Sequence, residues 1–366
     1  MRLVLDARLY GLEHRGIGRY LVELVAGLAA SDHETNYTVL LHPGNRSRPL
    51  DLPANFTCLP APWRVYSLAE QIYMPKLLRR LRPDLIHFPH FSVPLMAPRP
   101  YVVTVHDVIL HHMPSERATT LAKPLYWGKV MLYRLVVRQI LKRAAAVIVP
   151  SQAVANDCLD FYAWLSQKLK LVPLAPGALP PPALVKTPER YFLVVGAAYP
   201  HKNLESAVAA VASLKQRLPG VKLVVVGRHD VFMQRLAVWV ANRGYSDTVV
   251  FWGEASEAEL SGLYHGALAY LLPSLLEGFG LGALEALAQG TLVVAADIPV
   301  LHEVLGQAAI FASPTDATAM AEVYYRVAID TAVRQRLKTN TPSVLAQYSW
   351  TKVVRETSAV YRASLG

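Results

Sequence analysis

The sequence predicts an α/β protein built from two doubly wound parallel sheets. Three observations carry this. Short, near-continuously apolar, β-branched runs alternate with longer helical patterns along the whole chain, as strands covered on both faces by helices do. The 366 residues are too many for one ordinary core and suit two. The alternation also restarts after LVPLAPGALPPPALVKTPER, where residues 173–188 hold six prolines and read as an exposed connection. The expected division is therefore a first Rossmann-like domain at 1–174, a linker at 175–188 and a second Rossmann-like domain at 189–346, with a cleft between the domains.

Taken in order, the first-half strands are RLVLDA, YTVLLH, DLIHF, YVVTVHD, AAAVIVPS and LKLVPL. Those of the second half are YFLVVGA, KLVVVGR, TVVFWGE, ALAYLLPS, TLVVAAD and AAIFAS. Helical stretches such as GRYLVELVAGLAA and NLESAVAAVASLKQRL separate them. Ligands of such sheets bind beyond the carboxyl ends of the strands, and the motifs described next fall there.

Composition narrows the classes. Hydrophobic residues make up 53% and charged residues 17%, which fits a well-buried globular protein and excludes a disordered one. No apolar run reaches membrane-spanning length. MRLVLDARLYG runs straight into a strand pattern with no charged-then-apolar leader, so a cytoplasmic location is expected. Cys58 and Cys158 lie far apart and read as buried thiols in a reducing compartment, with no disulfide or zinc site. The formal net charge is +10, and residues 1–170 carry 21 Lys and Arg against 12 Asp and Glu. A basic half suggests a polyanionic partner. Residues 117–143 hold seven basic and no acidic residues, with Leu125, Tyr126, Trp127, Met131, Leu132, Leu135 and Val136 near helical spacing. A second basic aromatic stretch spans 63–82. Both read either as helices at an anionic membrane surface or as core-facing helices with a solvated basic face. Nucleic acid is not expected, because no recognition motif accompanies the charge.

In the first half, Gly16 and Gly18 precede a helix start and read as an anion-binding glycine turn or a plain helix cap. They sit too far from the strand for a dinucleotide fingerprint, and no acidic residue ends the next strand. His106 and Asp107 end a buried strand. The histidine is a candidate for the site, or else it caps a loop.

In the second half, Gly196 ends a strand and His201, Lys202 and Asn203 stand at a helix entry. A lysine there opposes the helix dipole, which suggests that it faces an anion such as a diphosphate. EGFGLGALEALAQG then places Glu277 before a turn containing Gly278, Gly280 and Gly282, with Glu285 more than one turn inside the following helix. The glycines admit a ligand to the backbone, the helix start favours negative charge and the carboxylates accept from hydroxyls. A nucleotide-diphosphate sugar has hydroxyls at both ends and phosphates between.

These residues resemble the family 4 retaining glycosyltransferases of the B-type two-domain fold. The most specific match is a Glu-x7-Glu element at Glu277 and Glu285; GIGRY, VVTVHD, VIVPSQAV and VGAAYPHKN are also similar. The resemblance implies that Glu277 contacts the donor sugar and Glu285 the ribose, and that Phe279, Gly280 and Leu281 present amides to sugar or phosphate. It further implies that Gly16, Gly18 and Lys202 hold the diphosphate, that His106 lies near the reacting sugar, and that a helix over 347–366 packs back on the first domain. It implies no cofactor and no divalent metal, the donor being a substrate. The sequence departs from many relatives at Ala197, where an arginine is common, with Arg228 as a substitute candidate, and at His302-Glu303. The function expected is hexosyl transfer, with mannose preferred, to a glycan or lipid-linked acceptor in cell-surface polysaccharide or glycolipid synthesis. The alternatives are a nucleotide-sugar epimerase and a non-catalytic nucleotide-sugar-binding subunit.

Overall fold

The structure, a computed structural model, describes residues 1–11, 15–45 and 51–365. It divides into two compact units. Unit 1 comprises Met1–His111, Trp127–Ala175 and Tyr348–Gly366, and unit 2 comprises His112–Tyr126 and Pro176–Gln347. In chain order the elements begin with β1 (Arg2–Asp6), α1 (Arg15–Ser31), β2 (Asn36–Leu41), β3 (Phe56–Pro60), α2 (Leu68–Leu81), β4 (Leu85–Phe88) and β5 (Tyr101–Thr104). There follow α3 (Ile109–His112), α4 (Lys123–Arg143), β6 (Ala146–Val149), α5 (Gln152–Phe161) and β7 (Leu169–Leu171). The second sheet is built from β8 (Tyr191–Val195), α6 (Leu204–Ser213), β9 (Lys222–Val226), α7 (Val231–Asn242), β10 (Val249–Gly253), α8 (Glu257–Gly266) and β11 (Ala269–Leu272). It is completed by α9 (Leu281–Ala288), β12 (Val293–Ala296), α10 (Pro299–Leu305), β13 (Ala309–Ala312), α11 (Ala317–Ile329) and α12 (Thr331–Leu345), after which α13 (Trp350–Ala363) returns to unit 1.

Both sheets are parallel throughout, in the orders β3-β2-β1-β4-β5-β6-β7 and β10-β9-β8-β11-β12-β13. The winding reverses between β1 and β4 and between β8 and β11, which opens a crevice at the carboxyl end of each sheet. The strands are buried because their runs are apolar on both faces: β4, β5, β6, β11 and β12 have no exposed residue. Helix α1 buries Leu21, Leu24, Val25 and Leu28, spaced three and four apart, against that layer. Helix α13 buries Val353, Val354, Thr357, Val360 and Tyr361 in the same way. The two helices meet at Gly27, where a Cβ would stand 2.4 Å from Val354 Cγ2.

All six strands expected in the second half form. In the first half FTCLP forms an additional strand, β3, which the apolar-run criterion passed over. As an edge strand, β3 buries only Phe56 and exposes Thr57, Cys58 and Pro60 instead of running continuously apolar. Cys158 is buried as expected, but Cys58 is exposed. Its place on the edge strand β3, where Thr57 and Pro60 are exposed as well, accounts for the difference.

Candidate active site

In unit 2 the site grows from the ends of β8 and β11. Gly196 leaves β8 at φ +137°, a conformation that only glycine adopts freely. The chain then makes a short 3-10 turn over Pro200–Lys202. Asn203 follows in the left-handed region at φ +56° and caps α6. Its side chain fixes this turn by donating to the Pro273 carbonyl (3.0 Å) and the Pro314 carbonyl (2.7 Å) while accepting from Ser206 (2.7 Å). The Leu275 amide donates to the His201 carbonyl at 2.7 Å, so the loops after β8 and β11 are joined.

This joining brings Lys202 and Glu277 together. Lys202 Nζ donates to Glu277 Oε1 at 2.6 Å, and Ser274 Oγ donates to the same oxygen at 2.7 Å. The glutamate side chain is 9% exposed and the lysine side chain 28%. Burial alone raises the pKa of Glu277, but Lys202, both hydrogen bonds and nearby His201 outweigh it and hold the carboxyl below its ordinary value. His201 is driven down to about 4 by burial and by Lys202, against the pull of Glu277. At neutral pH the local charges are therefore one ammonium and one carboxylate beside a neutral imidazole.

Glu277 leads into the glycine turn. Gly280 has φ +87°, and a Cβ there would stand 2.7 Å from Leu301 Cδ2. Gly282 lies in the first turn of α9, where a Cβ would stand 2.8 Å from Tyr270 Oη. Leu281 opens α9 behind Gly280, so the first amides of the helix lack partners within the helix itself. Gly278 and Phe279 form the turn, and Phe279 is buried. Glu285 lies inside α9 and is 8% exposed. Arg228, at the end of β9, forms an exposed pair with Glu254 at 3.1 Å. His302 pairs with Asp297 at 2.6 Å and stacks on Phe311.

In unit 1, His106 stands two residues beyond β5. Its Nε2 donates to the Pro89 carbonyl at 3.1 Å, which leaves the lone pair on Nδ1, and the ring meets Tyr20 edge-on at 5.0 Å. Burial, reinforced by His90, lowers its pKa to about 4 despite the Pro89 bond, so it is neutral at pH 7. Asp107 accepts from the Ile109 amide at 3.0 Å and shapes the turn into α3. Gly16 and Gly18 lie within the first turn of α1, not ahead of it as expected, because the helix already begins at Arg15. Gly16 is exposed and Gly18 buried, and residues 12–14 of the expected loop lie outside the described residues.

Several polar groups of these two crevices escaped the sequence reading. Ser274 was visible only as the residue ending LLPS. The buried Arg8, Asp6, Glu70 and Ser92, and His87 within β4, carry no local motif: their partners lie 17 to 274 residues away along the chain or, for Asp6 and Arg8, are set by the fold.

Comparison with known proteins agrees with this architecture. Residues 14–175 match the model described as Glycosyltransferase Family 4, and residues 179–344 the model described as Glycosyl transferases group 1. The chain is 31% identical to the O-antigen chain mannosyltransferase RfbU of Salmonella typhimurium over 70% of its own length and 68% of that protein's. Among solved structures it is similar to the sucrose-phosphate synthase of Thermosynechococcus elongatus, with a TM-score of 0.78 and 21% identity over 99% of this chain and 98% of that one. It is likewise similar to Anabaena HepE, solved in complex with UDP and glucose, with a TM-score of 0.72 and 16% identity over 99% of this chain and 100% of that one. The chain belongs to the family 4 (group 1) glycosyltransferases and has their two-domain fold. It is a hexosyl-transferring enzyme.

Proposed function

We propose that this glycosyltransferase moves a hexose, with mannose preferred, from a nucleotide-diphosphate sugar to a glycan or lipid-linked acceptor, with retention and without a metal ion, in cell-surface polysaccharide or glycolipid synthesis. The observation that carries the reading is the Lys202–Glu277 pair at the mouth of the glycine turn before α9. A departing diphosphate takes its charge to Lys202 and to the helix amides, which is leaving-group stabilisation without a metal. Glu277 then faces the positive charge developing on the sugar, and Glu285 accepts from the ribose. The neutral His106 serves the acceptor side, and Gly16 and Gly18 approach the diphosphate. The mannosyl preference is supported by the likeness to RfbU. The HepE complex with UDP and glucose supports a nucleotide-sugar donor.

The test is sugar release and nucleotide-dependent thermal stabilisation with GDP-mannose, UDP-glucose and ADP-glucose, each with and without EDTA. A response to one donor that survives EDTA and is lost in Lys202→Ala and Glu285→Ala supports the reading. Binding of NAD alone, or a response abolished by EDTA, sinks it. An epimerase would interconvert the donor sugar without any acceptor, and a non-catalytic subunit would bind the nucleotide without releasing sugar.

The membrane reading of the basic helices belongs to the same proposal. Helix α4 buries Val130, Val137, Ile140 and Leu141, but Leu125, Trp127, Met131, Leu132 and Leu135 are all exposed, and of the residues singled out from the sequence only Tyr126 is buried. Helix α2 exposes Leu68, Ile72 and Tyr73. In unit 1 the loop carrying exposed Leu95 and Met96 is tied to α2 by Gln71 and Arg79 and to the end of α4 by Arg143. Apolar side chains flanked by cations suit an anionic lipid interface, on the inner face of the cytoplasmic membrane. Among the described residues no helix is long and apolar enough to cross a membrane. Flotation with anionic and zwitterionic liposomes tests this, and equal recovery with both removes it.

A further inference from the structure

The roles above give Ser274 no part in the reaction, yet its hydroxyl is placed with little freedom. The residue is fully buried in the turn after β11, between two backbone ties. The Pro273 carbonyl before it accepts from Asn203 Nδ2 at 3.0 Å, and the Leu275 amide after it donates to the His201 carbonyl at 2.7 Å. With the backbone tied on both sides, one side-chain torsion is left to aim the hydroxyl. It donates to Glu277 Oε1 at 2.7 Å.

Lys202 donates to that same oxygen at 2.6 Å. Among the described residues nothing donates to the other oxygen, Oε2. Nor is Oε2 one of the polar atoms buried without a partner, so it stays accessible. The carboxylate is therefore held by one oxygen and presents the other. Glu70 of unit 1, a buried carboxylate inside a structural network, differs. Its Oε2 accepts from the Tyr66 amide, and its Oε1 from Arg8 and Ser92.

The two holds on Glu277 differ in kind. Lys202 has a long, rotamer-rich side chain that is 28% exposed, and the role proposed above draws its charge to the departing diphosphate. Ser274 is short, sealed and neutral, so a phosphate does not compete for it.

We propose that Ser274 is a positioning residue for the transfer: it fixes Glu277 through Oε1, so that Oε2 stays turned to the donor sugar while Lys202 is engaged by the diphosphate. This rests on the role given to Glu277 above, and the test separates the two.

Sugar release from GDP-mannose, UDP-glucose and ADP-glucose is measured as kcat and KM for the full chain, Ser274→Ala, Glu277→Gln and the double variant. Each protein is also titrated with GDP, UDP and ADP by thermal shift. Loss of one hydrogen bond to a charged group lowers kcat roughly tenfold to hundredfold in Ser274→Ala, while KM stays within about twofold and the nucleotide shift is kept. In the Glu277→Gln background the charge to be aimed is gone, and the same serine substitution changes kcat by less than about twofold. Equal losses in the two backgrounds overturn the proposal, because the serine then acts without the carboxylate. A raised KM or a lost nucleotide shift in Ser274→Ala also overturns it, because the serine then binds the donor or only supports the turn. A slow Glu277→Gln beside a full-rate Ser274→Ala strikes the positioning alone. A full-rate Glu277→Gln, or a wild type that releases no sugar, strikes the role of Glu277 and the positioning with it.

Discussion

The two crevices sit at the same point of the same winding, yet they are built in opposite ways. In unit 2 glycines let the turn after β11 pack closely, and one charged pair stands beside it, with Lys202 partly exposed. In unit 1 the equivalent place is filled by Arg8, Asp6 and Glu70, each at most 5% exposed, and by three largely neutral histidines. A glycine turn leading into a helix start suits a charged ligand that brings its own phosphates. A buried network suits a rigid frame for neutral, hydroxyl-bearing groups. The difference teaches that the two crevices should fail differently when perturbed.

The largest effect is expected in unit 1. Arg8→Ala leaves two carboxylates buried without their cation, a loss of about 3–5 kcal/mol. Lys202→Ala strands one carboxylate in place of two, and that one stays bonded to Ser274, so a smaller loss of about 1–3 kcal/mol is expected there. Urea unfolding of the two variants checks this, and equal losses would break the comparison. Next comes Glu277→Gln, which keeps the shape but removes the charge from the mouth of the glycine turn. If the proposed role holds, kcat falls by about 10²–10³, with little change in the melting temperature. A kcat within threefold of wild type would remove Glu277 from the reaction.

This contrast also explains what could be read from the sequence. Lys202, Glu277 and Glu285 were legible because local rules make them conspicuous: a lysine against a helix dipole, and acids around a run of glycines. Twelve strands were legible from apolar runs, whereas β3 was not, because only Phe56 of its five residues is buried. The unit 1 network was illegible for a different reason. Glu70 looks like an ordinary first-turn glutamate of α2, and only the fold carries it to Arg8, 62 residues earlier in the chain. The apolar residues of α4 had the right spacing for a helix face, but spacing does not tell whether that face is covered.

A smaller effect concerns acid. His87 is driven to about 3, and His90 and His106 to about 4, chiefly by burial. In unit 2, His201 is driven to about 4. An imidazole whose folded pKa lies below its unfolded value takes its proton first in the unfolded chain. Its contribution is therefore complete above about pH 6.5 and declines as the pH falls toward 4. Each such group gives a slope of roughly 1.4 kcal/mol per pH unit. Unit 1 should lose stability about three times as steeply as unit 2 between pH 6 and 4.5 on this account. Hydrogen exchange at successive pH values, read separately for β4–β6 and β8–β12, measures both slopes, and parallel slopes would refute the assignment.

The smallest effect sharpens the comparison most, because it concerns a residue remote in sequence from either crevice. Tyr361, on the returning α13, is bonded to His87 Nδ1 at 2.7 Å, and His87 Nε2 is bonded to Thr104 Oγ1 at 2.8 Å. Thr104 ends β5, two residues before His106, so the last helix of the chain bears on the strand that sets the histidine. Tyr361→Phe keeps the ring that packs there and removes one buried hydrogen bond, a loss of about 1–2 kcal/mol. If α13 merely covers unit 1, only the melting temperature falls, and the His106 ring resonances stay where they were. If the bond positions β5, those resonances and their titration shift, while nucleotide binding to unit 2 is unchanged. We expect the second result, because a hydroxyl and an imidazole buried in the middle of an apolar layer fix one arrangement of strand and helix, whereas an apolar contact of the same size tolerates several.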